Sequence, residues 1–385
     1  MDRLEPVIFN DAWGSNVSIA SLQGRPIPSD LPESELWMGA HESGPSGITR
    51  GPHRHLTEAI AADPEAELGA RCVERFGPRL PFLLKVLAPG RAISIQAHPS
   101  ATQAIEERAR TGDAVYVDDW AKPELLLAIS PFEVFVGLRP WEDTVAFCAA
   151  LRVRTLDRLV EDASASSDPV PALLRLILEI PEAEVPLLVR QVVAAAVRVE
   201  ALDNAHGKQA AAIVRVAEEH PDDIGVAVIV LMDHRLLHPG EFIDVAAGVL
   251  HSYVRGLGIE VLANSDNVVR AGLTSKEVNV PELLRIVDPT AKGVPGGPRA
   301  VGPGLHLFRS ASDRFRLYRV DATRARELPG EGSPRIVFTV QGDIQLRTSG
   351  DELTLGPVES AFIGANESGL TIGGDGQAYL VCVPD

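Results

Sequence analysis

Lysine is nearly absent from this chain of 385 residues: of 36 basic residues five are lysine (Lys85, Lys122, Lys208, Lys276 and Lys292) and 31 are arginine. Where arginine is written almost everywhere, a remaining lysine marks a candidate for work that a planar guanidinium does badly, such as moving a proton. Basic charge is short overall as well. A formal net charge of −17 argues against nucleic acid or an anionic membrane as partner, because both demand a basic surface. An anionic small molecule stays open where basic residues gather locally. Cysteine is scarce too, and Cys72, Cys148 and Cys382 form no CxxC motif and no even-numbered framework, which suits a reducing compartment. Long hydrophobic runs are missing: the most apolar, Gly225 to Met232, is far too short to span a bilayer. The start, Met1-Asp2-Arg3-Leu4-Glu5-Pro6, lacks the basic and then apolar pattern of an export signal. A cytoplasmic location is expected, and nothing calls for an obligate protein partner.

What is present reads as a folded protein. The length suggests two or three domains, with 45% hydrophobic residues to fill their cores. Up to about Pro140 the pattern is mostly β, with strands expected at Phe82 to Leu87, Ala92 to Ala97 and Leu125 to Ile129. From Trp141 the spacing turns helical, as in Leu173, Leu174, Leu176 and Ile177, within an Ala-rich stretch broken by prolines. The β signal resumes after His220, with Pro239-Gly240 marking a turn and Gly248 to Tyr253 a further strand, and Gly293 to Gly304 reads as a linker. Short alternating runs then continue to the end, where His306 is the only histidine. The expected fold is mainly β with an α-helical insert. Its parts are a β domain of residues 1–140 plus 222–292, a helical insert of 141–221 and a second β domain of 293–385.

Three distant segments, Gln96-Ala97-His98, Lys122-Pro123-Glu124 and the region of His251, carry four side chains able to ligate one metal ion. In Ala92 to His98 apolar and polar residues alternate, so Ser94, Gln96 and His98 should share one strand face. Burying such a face is costly unless its groups find partners, and a metal ion is one way to supply them. The plainer reading of Gln96-x-His98 alone is a hydrogen-bonded strand histidine, since Gln is an uncommon metal ligand. Ligands on strands of a β-rich domain fit a jelly roll with a metal in its mouth, the cupin arrangement.

The segments Glu35 to His41, with Trp37 at their centre, Ser94 to Pro99, Lys122-Pro123-Glu124 and Ser265 to Thr274 resemble the signature segments of type I mannose-6-phosphate isomerases and occur in that family's order. The resemblance spans about Trp13 to Lys276; the C-terminal part agrees mainly in length and β character, and is expected to be cupin-like. It implies a zinc-dependent interconversion of mannose 6-phosphate and fructose 6-phosphate with one zinc per chain. The zinc ligands it implies are Gln96, His98, Glu124 and His251, two nitrogens and two oxygens that suit Zn²⁺.

Aldose and ketose interchange when a base moves a proton between C2 and C1 through a cis-enediol while the oxygens are polarised. Lys122, close to a dication and partly desolvated, is one candidate base and Asp266 is the other. Arg270 is the leading candidate to stabilise the enediolate or to grip the phosphate. Ser94, Lys85 and Lys276 are further substrate-binding candidates. Glu260 and Asp266 are expected to orient groups of the site, and Trp37 and His41 to line or brace it.

Two segments depart from the family pattern. Trp120-Ala121 stands where Asn-His is usual before Lys-Pro-Glu, removing a histidine proposed in proton transfer, and Ser100-Ala101 stands where Asp-Lys is usual. The competing readings are a non-catalytic sugar-phosphate sensor that kept the metal pocket and, behind it, an iron cupin oxygenase. Other histidines are set aside: His53 and His55 as exposed, His234 and His238 as part of a turn, and His206 and His220 as solvent-facing.

Overall fold

Period-two patterning governs the sheets of the molecule. In the strand Phe82–Leu87, Phe82, Leu84 and Val86 face one apolar core while Lys85 and Leu87 face the other way. Glu124–Ala128 behaves alike, with Leu125 and Leu127 on one side and Glu124, Leu126 and Ala128 on the other. The computed structural model describes residues 1–49, 51–324 and 326–384. Over these it has twenty-four β-strands in four sheets and twelve α-helices.

The sheets stack in layers. A five-stranded sheet (Val269–Gly272, Ile95–Ala97, His251–Arg255, Phe132–Leu138, Met232–Leu237) faces a seven-stranded sheet across a core that includes Leu126, Phe132, Val134, Ile243 and Tyr253. The seven-stranded sheet runs Val294–Gly296, Phe242–Val245, Glu124–Ala128, Gly258–Ala263, Phe82–Leu87, Glu35–Met38, Val7–Phe9. Its outer face packs on an eight-stranded sheet through Leu84, Val86, Ile259 and Val261 against Phe308, Phe338, Phe362 and Val381. Behind that sheet lies a four-stranded one, closed by Val337 and Leu380 against Leu346 and Ile372. The free face of the five-stranded sheet is covered by helices, with Ile95, Ala97 and Phe135 packed against residues such as Phe147, Leu173 and Val192.

The helical stretch predicted after Trp141 is present as Trp141–Leu151, Arg154–Ser164, Pro169–Leu178, Val185–Val199 and Ala205–Glu219. Its prolines start helices: Pro169 and Pro186 occupy first-turn positions, where a missing N–H costs nothing. The first part of the chain is less purely β than its composition suggested. Leu56–Ala62, Pro64–Leu68, Ala70–Phe76 and Ala101–Thr111 are helical. Ser100, one of the two departures, caps the last of these: its hydroxyl accepts from Gln103 N–H while the Gln103 side chain accepts from Ser100 N–H. The Gly/Pro-rich stretch read as a linker instead contains the strands Val294–Gly296 and Arg299–Gly302, the first paired with Phe242–Val245. At the other end Asp2–Glu5 pairs with Ser360–Ile363 in the eight-stranded sheet. No helix among the described residues is long and apolar enough to cross a membrane.

Candidate metal centre and active site

Register places the polar residues opposite one another. In the five-stranded sheet Gln96 lies beside His251 on one side and Arg270 on the other. In the seven-stranded sheet Lys85 is flanked by Glu260 and Trp37, and Glu124 is the partner of Leu262. Gln96, Arg270, Lys85, Glu260, Trp37 and Glu124 point between the sheets, and their side chains line one cavity of about 650 Å³, together with Ser94, Lys122 and Lys276.

At its floor His98, Glu124 and His251 offer ligand atoms that all lie within 4.8 Å of one another, and all three are buried. His98 Nδ1 donates to Asn267 O at 2.7 Å and His251 Nδ1 to Val249 O at 2.9 Å, so both rings keep an Nε2 lone pair turned toward Glu124. His98 Nε2 lies 3.2 Å from Glu124 Oε1, yet it has no hydrogen-bond partner. His251 Nε2 is 3.3 Å from Glu124 Oε2 and 3.4 Å from Gln96 Nε2. A buried, pre-oriented acceptor left without a donor is costly. Two such imidazoles, a carboxylate and an amide that can turn its oxygen inward fit a Zn²⁺ ion.

Electrostatics agree with that fit. Burial pushes His98 down to about 4, so its ring is neutral and ready to ligate. Burial also opposes ionisation of Glu124, but the cationic surroundings, with Lys122 beside it and the two histidines against it, outweigh it and hold the carboxyl well below the usual carboxylate range. Lys122 Nζ stands 3.5 Å from Glu124 Oε1, and Tyr253 OH donates to Glu124 Oε2 at 3.4 Å. Lys85 is held between Glu35 at 2.9 Å and Glu260 at 2.8 Å. Burial works against its charge, but Glu260, Glu35 and Glu124 raise it above its ordinary value, so the ammonium persists. Trp37 Nε1 donates to Glu35 at 2.6 Å, extending the chain of contacts.

Asp266 is placed differently from the other candidates. More than half exposed, it pairs with His41 at 3.2 Å, and the bond from His41 lowers its carboxyl despite some burial. Its neighbour Asn267 explains why the Ser265 segment matters structurally. The Asn267 carbonyl orients His98, while its side chain binds Val117 N, Asp118 O and Trp120 O, tying down the loop that leads to Lys122.

The Trp120-Ala121 departure has a simple geometry. Lys122 and Glu124 face the metal cavity; Ala121 and Pro123 face a separate hollow of about 210 Å³ beside Asp244 and Ser310. The Trp120 ring takes the guanidinium groups of Arg79 and Arg314 at 3.2 and 4.0 Å from its centre.

Among the histidines set aside, three lie elsewhere than expected, one being His206, half-buried with its ring 5.3 Å from that of Phe147. His234 is on the strand Met232–Leu237 and bonds Glu133 at 2.7 Å. His220 is half-buried at the cavity rim and bonds Ala92 O at 2.8 Å. Tyr253 and Glu35 were missed as site residues; Glu35 had a legible signal, lying two residues before Trp37 on the same strand face.

Residues 1–141 match the phosphomannose isomerase type I catalytic domain. Over nearly its whole length the chain is similar to the mannose-6-phosphate isomerase of Salmonella typhimurium, at 34% identity with 99% of each chain covered. It is also similar to that of Bos taurus, at 30% identity with 98% of this chain and 97% of the relative covered. Among solved structures, a mannose 6-phosphate isomerase bound with zinc and yttrium is similar with a TM-score of 0.88 at 32% identity, covering 100% of both chains. A single-site mutant of phosphomannose isomerase from Salmonella typhimurium reaches 0.90 at 32% identity, again over 100% of both.

Proposed function

This chain belongs to the type I mannose-6-phosphate isomerases, and from that premise we propose that it interconverts mannose 6-phosphate and fructose 6-phosphate in the cavity above His98, Glu124 and His251. The observation that carries the reading is a buried, unpartnered His98 Nε2 at the floor of a cavity whose walls hold Lys122 and Arg270. The relatives are named as isomerases, which favours catalysis over the non-catalytic sensor.

Gln96, His98, Glu124 and His251 would hold zinc, which when bound supplies Lewis-acid polarisation of the sugar oxygens and so eases loss of the proton beside them. Lys122 is the base in this reading. Its amine sits at the cavity wall next to the ligand set, half-sheltered from solvent, where it reaches a proton on C1 or C2 and returns it to the other carbon. Arg270 faces the same space and steadies the negative charge of the enediolate. Ser94, Arg270 and Lys276 are assigned to the phosphate. Lys85, whose charge is matched by Glu35 and Glu260, lines the sugar-facing wall with Glu260 and Trp37. Asp266 is paired with His41, whose ring packs on Trp37 at the cavity wall, and leaves proton transfer to Lys122.

The five- and seven-stranded pair is read as the cupin-type jelly roll and the eight- and four-stranded pair as a second, cupin-like one. The division is 1–140 plus 222–292, 141–221 and 293–385, with Asp2–Glu5 and Gly47–Ile48 lent to the eight-stranded sheet and Val294–Gly296 to the seven-stranded one. The place of action is the cytoplasm. The zinc-loaded protein should form fructose 6-phosphate from mannose 6-phosphate, lose that activity to a chelator and regain it with zinc. Lys122→Ala should lower kcat by about 10²–10⁴-fold with zinc retained. Activity that survives complete metal removal would sink the zinc mechanism, and a folded, zinc-loaded protein with no turnover would return the sensor to first place.

A further inference from the structure

Thr274, Ser275 and Lys276 reach the cavity from a turn that follows the strand Val269–Gly272, which itself carries Arg270. The turn is strained. Leu273, a buried non-glycine residue on the cavity wall, has φ 54°, after Gly272 at φ 150°. Left-handed backbone at a leucine persists only where its surroundings over-determine it.

The group that does so comes from the far end of the helical stretch. Asp223 Oδ1 accepts from Leu273 N–H at 2.8 Å and from Gly225 N–H at 2.7 Å, while Oδ2 accepts from Thr274 N–H at 3.1 Å. The two backbones meet directly. A Cβ on Gly272 would lie 2.6 Å from Gly225 Cα, and one on Gly225 would lie 2.6 Å from Leu273 N. Glycine at both positions is what lets the carboxylate reach the turn.

We infer that Asp223 is a positioning residue for substrate binding: its carboxylate clamps the Leu273-Thr274 turn and thereby holds Thr274, Ser275 and Lys276 facing the substrate phosphate. The assignment rests on the reading that Arg270 and Lys276 receive that phosphate. It makes the junction after the helix Ala205–Glu219 part of the binding apparatus, without contact to the reacting atoms.

The zinc-loaded full chain tests it with Asp223→Ala and Asp223→Asn, beside Lys276→Ala and Arg270→Ala. Losing charge-assisted bonds to three backbone amides, two of them in the turn, should raise KM for mannose 6-phosphate and Ki for inorganic phosphate together by about tenfold. Zinc content should be unchanged and kcat should move much less. Amide exchange over 272–276 should quicken in Asp223→Ala, and Asp223→Asn, which keeps one acceptor oxygen, should recover part of both effects. If Lys276→Ala and Arg270→Ala raise the phosphate Ki while Asp223→Ala does not, the clamp is overturned and the phosphate reading stands. If Asp223→Ala quickens exchange and neither Lys276→Ala nor Arg270→Ala shifts Ki, the phosphate reading falls and the assignment to binding falls with it. Unchanged exchange over 272–276, or equal losses of kcat and zinc with KM constant, overturns the clamp directly. Should the alanine variant fail to fold, the asparagine variant carries the same readouts.

Discussion

Two paired-sheet halves lie back to back in this molecule, and their interiors differ in kind. Between the eight- and four-stranded sheets the inward residues are mainly apolar, Val320, Val337, Ala361 and Leu380 meeting Ile344, Leu346, Leu355 and Ile372, with Arg335 and Thr339 the buried polar members of the same strand face. Between the seven- and five-stranded sheets only one end closes in this way, around Leu126, Phe132, Val134 and Ile243. The other end carries Glu35, Lys85, Glu124, Glu260, Gln96 and His251 at the same inward-facing strand positions. Such an interior is stable where each group has a partner, as in the Glu35–Lys85–Glu260 chain and the two histidines on backbone carbonyls. His98 Nε2 has no such partner, and it stands beside Glu124 and His251 where a metal ion would satisfy it. One half uses its alternation to close, the other to hold chemistry.

Exchanging ligands in the chemical half should break this contrast most sharply. Glu124→Ala removes the anionic ligand and is expected to weaken zinc binding by more than about 100-fold, and Gln96→Ala by about tenfold, as metal titration would measure. Equal losses from both would mean that Glu124 is not the anchor. In the closed half, Leu346→Ala should cost about 2–5 kcal/mol of stability through the cavity it leaves, lowering Tm while kcat and zinc content stay constant.

Acid should weaken the metal-bearing half. Burial opposes ionisation of Glu133, but His234 and Arg215 outweigh it; burial opposes Glu282 likewise, but Arg285 and Tyr116 prevail. Both carboxyls are therefore held below their ordinary value of 4.5. The unfolded chain takes up these protons first, so this stability is complete above that pH and is lost as pH falls below it. Hydrogen exchange should show Phe132–Leu138 and Val280–Ile286 opening before Arg335–Gln341 as the solution is acidified. The smallest effect is expected from Ala121→His, which restores the residue usual in the family on the side away from the zinc. Its kcat should stay within about twofold of the parent, and a rise of about tenfold, a change of 1.4 kcal/mol in the barrier, would put position 121 in proton transfer.

Much of the site was legible because its residues sit on strands. Alternation from Ala92 to His98 placed Gln96 facing the cavity, and the structure keeps Ile95 and Ala97 on the opposite, helix-covered face. The helices between Leu56 and Phe76 were less legible, being five to seven residues long and so too short to repeat an apolar period. The partner of His98 left no trace in side-chain identity, since it is the carbonyl of Asn267. Asp223 was silent for the same reason: its partners in the turn are backbone amides 50 and 51 residues away.

By itself the sequence determined which residues have the chemistry to bind a metal and a phosphate, because donor type and strand period are local properties. Tertiary structure alone decided that His98, Glu124 and His251 converge, that Ala121 turns away from them, and that a carboxylate after the helices holds a strained leucine at the cavity wall. Those outcomes depend on sheet register and on the approach of distant backbones, which no local pattern encodes.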